Sequence, residues 1–329
     1  MNVRDRLVRY AGVVILAAGA AAVPASTAFA TGDLQMERLP VPVGVVNSDV
    51  RGGDHGGHFL VGAGVRFDGT EWTQVVLRWE DGAVSELDTA ALAPSMLVEA
   101  ADINKDGVVV GRRITDSSTF HSDAWIYRDG RLSLLPGLEP TDETSAVAIN
   151  ARGDVVGRSG SHAVLWPADQ PGTVRELAVD PSLPMPATGV DIDDDGTVLG
   201  FLGCRTCDGQ RPYVWPAGGA GYALAAPAGT GYPEGMAIHN GWVAGTAVAD
   251  GRSVAVRWDL SNGAASVIST EHGTATAVNS RGTVAAADAL LYRNGRVQVL
   301  DGHVAVLTDR GTAAGWDAPY LSGNAVIWS

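Results

Sequence analysis

The sequence predicts an all-β fold: a seven-bladed β-propeller of four-stranded antiparallel blades, with the outer strand of the last blade supplied by the N-terminal segment. Three observations predict it. A unit of about 40 residues, each with room for four short strands, recurs seven times. Asp-Gly and Asn-Gly pairs sit where hairpins must turn. The chain ends one strand short of a seventh unit, and a spare strand-like segment, LQMERLPV, precedes the first.

Each element of the unit can be justified in order. The clearest copy is AVAINARGDVVGRSGSHAVLW, from Ala146 to Trp166. Its first strand and turn, I-N-x-x-G, and its second strand, V-V-G, return as DINKDGVVVG, DIDDDGTVLG, AIHNGWVAG, AVNSRGTVAA and VLTDRGTAAG, with a degenerate first copy from VVNSDVRGG to FLVG. A third, apolar strand then ends on an aromatic: Trp79, Tyr127, Trp166, Trp215, Trp258, Tyr292 and Trp328. A fourth follows a tight turn, as in AVSEL after Asp81-Gly82 or RLSLL after Asp129-Gly130. Small residues dominate the first strands, which suits the crowded inner ring where blades converge. The four strands are called A to D.

Residues 1–30 stand apart. Arg4, Arg6 and Arg9 precede the apolar run AGVVILAAGAAAV, and Ala28 and Ala30 flank Phe29 in an A-x-A pattern. This is the pattern of a secretory signal peptide cleaved near Ala30, leaving residues 31–329 as one propeller domain, secreted and extracellular. An uncleaved anchor is the alternative, though the run is short for a membrane span. The formal charge of −14 would fall to −16 without the three Arg and one Asp of that segment. Such acidity disfavours nucleic acid and anionic membrane, which are held by clustered Lys and Arg. A monomer is expected.

The candidate chemistry is sparse. Cys204 and Cys207, the only cysteines, form a C-x-x-C in a B–C loop. In a secreted chain that reads as a local disulfide; zinc would need two further ligands and a redox centre a helix N-terminus. Asp102 to Gly107 and Asp191 to Gly196 match D-x-[DN]-x-[DN]-G, the opening of a calcium loop. The acids expected further along are absent, since Val110 and Leu199 stand at position nine and Arg113 and Leu202 at twelve. An Asx turn between strands A and B explains the same residues. If calcium binds, Asp191, Asp193 and Asp195 are the better set; otherwise no cofactor is expected. The seven histidines are scattered, and His55 and His58 with Asp54 make no demanding metal spacing. No serine-hydrolase elbow or intact sialidase box is present.

Loop lengths divide the two faces. The B–C and D–A connections, which share a face, are longer than the A–B and C–D turns. They carry Trp72, Arg112, Arg113, Phe120, His121, Arg211, Tyr232, Trp316 and Tyr320, the aromatic and Arg types that dominate recognition surfaces. The leading expectation is a non-enzymatic binding or scaffold propeller with a protein or glycan partner. The alternative is a carbohydrate-active enzyme, a hydrolase or lyase, with carboxylates in the central channel. It requires inward-facing acids from different A strands, where Asp102 and Asp191 are the exceptions among Ala, Val, Ile and Gly.

The repeats resemble the HAF family of extracellular repeats. The residues carrying the resemblance are Ala148-Ile149-Asn150, Gly153, Val155-Val156-Gly157 and His162-Ala163-Val164 with Trp166. Val164 stands in place of the Phe, and only the third copy keeps the His. The resemblance implies secretion and a propeller-like array, and brings no catalytic residues.

Overall fold

The computed structural model describes residues 34–329 except 68, 117, 184–185, 204–209, 270–272, 287–289, 294 and 319–322. Its strands form seven four-stranded antiparallel sheets. After β1 (Met36–Arg38), blade 1 is β2 (Val45–Gly53), β3 (Phe59–Phe67), β4 (Trp72–Glu80) and β5 (Ala83–Glu86). Blade 2 is β6 (Leu97–Ile103), β7 (Val109–Ile114), β8 (Ser122–Arg128) and β9 (Arg131–Leu134). Blade 3 is β10 (Thr144–Ile149), β11 (Val155–Ser159), β12 (His162–Trp166) and β13 (Arg175–Glu176). Blade 4 is β14 (Ala187–Ile192), β15 (Val198–Leu202), β16 (Arg211–Trp215) and β17 (Tyr222–Ala223). Blade 5 is β18 (Gly231–His239), β19 (Trp242–Ala249), β20 (Arg252–Asp259) and β21 (Ala264–Ser269). Blade 6 is β22 (Ala275–Val278), β23 (Val284–Ala286), β24 (Leu290–Arg293) and β25 (Arg296–Val299). Blade 7 is β26 (His303–Leu307), β27 (Ala313–Trp316) and β28 (Ala325–Trp328), with β1 as its fourth strand. The seven-bladed propeller and its N-terminal closing strand are therefore as expected. Met36 pairs with Trp328 and Arg38 with Val326, and Gln35 and Ser329 exchange backbone hydrogen bonds.

Every A strand is bulged at the same place, between Val50 and Gly52, Ala100 and Asp102, Ala146 and Ala148, Gly189 and Asp191, Gly235 and Ala237, Ala275 and Ala277, and Val304 and Val306. A bulge bends the strand and raises its twist. It also explains the Gly that ends V-V-G. A Cβ at Gly62, Gly111, Gly157, Gly200, Gly245 or Gly315 would strike the backbone carbonyl of Asp49, Glu99, Ser145, Thr188, Glu234 or His303 on the bulged neighbour. Blade 6 carries Ala286 there.

The Asn of I-N-x-x-G is an Asx turn and a strap at once. Asn104 Oδ1 accepts from the Asp106 and Val108 N–H groups, while its Nδ2 donates to the Asn150 carbonyl of the next blade at 3.1 Å. Asn150 Nδ2 reaches the Asp193 carbonyl at 3.3 Å, and Asn279 Nδ2 the Thr308 carbonyl at 3.1 Å. At this position Asp54, Asn104, Asn150, Asp193, His239, Asn279 and Thr308 are all buried. On the opposite side the C-strand Trp clamps the incoming D–A connection. Trp79, Trp166, Trp215 and Trp258 donate Nε1–H to the carbonyls of Pro40, Pro136, Ala178 and Ala225 at 2.7–2.8 Å. Six of the seven repeat aromatics are buried; Tyr127 is half-buried, and Trp125 two residues earlier is fully buried.

The apolar core is divided, one cluster to each interface between neighbouring blades. No α-helix occurs among the described residues, where one 3₁₀ turn, Ala90–Leu92, lies in a D–A connection.

Candidate functional site

On the face of the long connections, two exposed aromatics stand out. β3 and β4 are nine residues each, against five for β11 and β12, so their hairpin runs further from the ring. At its tip Trp72 is 56% exposed and lies against Phe67, ring centroids 4.8 Å apart. Tyr232 at the start of β18 is 70% exposed, with a left-handed backbone at φ 48°. The other sequence candidates are more tightly held. Arg112 pairs with Glu99 at 2.8 Å, and Arg113 with Asp123 at 2.9 Å and the Leu92 carbonyl. His121 lies 3.4 Å from Asp123. Phe120, at φ 56°, and Arg211 are half-buried, and Trp316 stacks on His303 at 4.1 Å. Arg112, Arg113, Phe120 and His121 belong to blade 2; Trp72, Arg211, Tyr232 and Trp316 are distributed over blades 1, 4, 5 and 7. Tyr320, Cys204 and Cys207 lie outside the described residues.

Beneath that face is a charge network that pattern reading missed. Arg51, the bulge residue of β2, bonds Asp49 and Glu99 at 3.2 Å each, and Glu99 also takes Arg112. The acids belong to adjacent A strands, a proximity set by the ring and absent from linear spacing.

Deeper in the ring lie Asp102 and Asp191, at equivalent positions of β6 and β14. Asp102 accepts from its own Ile103 N–H at 2.8 Å and from Ile149 N–H of blade 3 at 3.0 Å. Asp191 accepts from Ile192 N–H at 2.8 Å and from Ile238 N–H of blade 5 at 2.7 Å. Each thus satisfies an inner-edge donor of the next blade. Burial pushes both carboxyls up to about 7, opposed by these N–H groups, with Asp102 adding repulsion at Asp191. Both side chains are half-buried.

The calcium-like loop is used by the backbone in the same way. Asp193 accepts from the Asp194, Asn240 and Gly241 N–H groups, and Asp195 from Thr197 N–H. Among the described residues no three His, Cys, Asp or Glu side chains converge as ligands of one metal ion.

The A–B end of the channel holds a second group that the scattered histidines did not announce. His55 of blade 1 stacks on His239 of blade 5, centroids 3.4 Å apart and planes within 14°. His239 Nε2 lies 3.2 Å from Asp309 of blade 7, and its Nδ1 3.7 Å from Asp193 of blade 4. Beside the stack is a cavity of about 580 Å³ lined by Asp193, Asp194, Asp195, His239, Ser280 and Asp309, with Asn240 and Gly241. The blades that depart from Asn at the strap position, 1, 4, 5 and 7, all bring their turns here, joined by Ser280 of blade 6, which keeps its Asn.

No family model and no curated protein matches the chain. Solved structures do. A catalytically inactive virginiamycin B lyase from Staphylococcus aureus, determined with quinupristin, superposes with a TM-score of 0.58 at 10% identity, over 90% of this chain and 100% of that one. A puromycin-hydrolyzing peptidase from Mycobacterium tuberculosis gives 0.55 at 14% identity, over 90% of this chain and 54% of the peptidase. At such identity the likeness is one of fold, and what it establishes is that the chain is a β-propeller.

Proposed function

We propose that the chain is a secreted binding propeller whose recognition face carries the long B–C and D–A connections. The observation that carries this reading is the raised β3–β4 hairpin, with Trp72 and Phe67 both exposed at its tip. An aromatic pair on a rigid hairpin offers apolar area at low ordering cost. Tyr232 and the half-buried Arg112–Arg113 edge add to the same face. The partner is a protein or glycan, and the acidic surface argues against nucleic acid and anionic membrane. Secretion rests on the pattern of residues 1–30, and the HAF-type assignment on the repeat residues. In that setting Cys204 and Cys207 would be joined, which alkylation without reduction followed by mass spectrometry tests: two alkylated thiols would reject it. Binding is tested on protein and glycan arrays. Trp72→Ala and Tyr232→Ala should weaken any capture at least tenfold, about 1.4 kcal/mol or more; unchanged capture by both moves the site elsewhere.

A second reading is favoured by one observation, the pair Asp102 and Asp191. They are inward-facing acids on different A strands, each held protonatable near neutrality. A carbohydrate-active propeller would use them as general acid and base. Their engagement by backbone N–H groups supports a structural role instead. Turnover of a polysaccharide panel that disappears in both Asp102→Asn and Asp191→Asn would favour the enzyme.

A further inference from the structure

We propose that the stacked His55–His239 pair is an acid-released latch that closes the A–B end of the central channel. Blades 1 and 5 are not neighbours. β2 packs on β26, β26 on β22 and β22 on β18, so two blades intervene on the shorter way round. Contact between their turns must therefore reach across the inner ends of blades 6 and 7, over the axis. Blade 1 is built for this reach: its Asp54–Phe59 turn is one residue longer than Asn104–Val108 in blade 2, closing from Asp54 N–H to the Phe59 carbonyl. The His55 carbonyl then accepts from Asp309 N–H at 3.0 Å, fixing the turn to blade 7.

The latch has an electrostatic release. Two flat imidazoles at 3.4 Å tolerate one positive charge between them and not two. His239 has carboxylates at both nitrogens, Asp309 and Asp193. His55 Nδ1 is buried without a hydrogen-bond partner. The other charged groups around the pair are Asp54 and the Asp81-paired His58 in its own turn, Asp194 and Asp195 of blade 4, and Arg152 of blade 3. Arg152 pairs with Asp154 and donates to the Asp194 carbonyl; Arg281 and Arg310 in the flanking turns are exposed. Burial, and then His239, hold His55 down to about 4. When acid forces a proton onto it, a buried cation without a hydrogen-bond partner stands against the His239 ring, and the blade 1 turn lifts.

The test reads amide exchange in the full chain, corrected for the intrinsic pH effect. Protection at Asp309 and Gly57, whose N–H groups bond the His55 and Asp54 carbonyls, should fall about tenfold or more between pH 6 and pH 4. In His55→Phe, which keeps a flat ring and cannot take a proton, it should change less than about twofold. Equal loss in the variant would overturn the latch, because the acids remain there, and so would no loss in the wild type. Should His55→Phe fail to fold, imidazole titration of the wild type by NMR decides: a midpoint near 4 for His55 supports the latch, and an ordinary one near 6.5 overturns it.

Discussion

At the residue scale, the most demanding position is the Gly of each B strand. Gly157→Ala would place a methyl against the Ser145 carbonyl. Backbone cannot rotate away as a side chain can, so the cost should be about 2–3 kcal/mol, read as a lower urea midpoint. Ala286→Gly in blade 6 is the control. With its methyl already accommodated, it should lose only about 0.5–1 kcal/mol, from backbone entropy. The half-buried ionisable residues of the ring interior give a second prediction. Asp102 and Asp191 hold protons in the folded chain up to about 7, where the unfolded chain releases them near 3.8. Stability from this source is full below 3.8 and lost as pH rises to about 7, with a slope of up to about 1.4 kcal/mol per pH unit for each group. His55 acts in the opposite sense: its stability is present above 6.5 and lost as pH falls to about 4. Denaturation across pH 4 to 7 should therefore show a shallower decline for Asp191→Asn and a steeper one for His55→Phe.

At the scale of the element, position in the strand decides what a Trp does. Trp166 ends a C strand, 3% exposed, and bonds the Pro136 carbonyl. Trp166→Ala should cost about 3–5 kcal/mol. Trp72 begins a C strand and is exposed, so Trp72→Ala should stay within about 0.5 kcal/mol. The same contrast shows why the fold was legible. Asn, Gly and the terminal aromatic answer local demands, a turn, a bulged neighbour and a clamp, which repeat with the unit and so appear as spacing. The D-G turns did too: Asp81-Gly82 and Asp129-Gly130 both take left-handed backbone, as a two-residue hairpin requires. The site was less legible because its contacts join different blades. Nothing in the linear sequence places His55 on His239, 184 residues later, or Arg51 between Asp49 and Glu99. The one available signal was departure from the repeat: Asp54, Asp193, His239 and Thr308 break the Asn position, and the turns of those blades, with Ser280 of blade 6, come together at the latch.

At the scale of the whole molecule, the ring is closed by three residue pairs between β1 and β28 and the Arg38–Asp317 ion pair. Removing residues 34–38 should uncover the edge of β28 and lower Tm by several degrees, with the other blades still folded in circular dichroism. The seven separate apolar clusters keep this damage local, since each interface contributes on its own account.

The turn straps carry a further consequence, for how many blades the ring can have. A circle of identical joints would accept an added or missing repeat at any point. Here most joints are keyed. Asp193 takes the Asn240 and Gly241 N–H groups, which the Asn of a standard turn would not hold in the same way, and His55 receives Asp309. Deleting blade 4, 5, 7 or 1 would leave a key without its lock. Blade 3 differs. Without it, Asn104 would face the Asp193 carbonyl, the same partner that Asn150 now has. At the strap its joint is interchangeable, and what still marks blade 3 as the copy between blades 2 and 4 is Ile149 N–H on Asp102 and Arg152 on the Asp194 carbonyl.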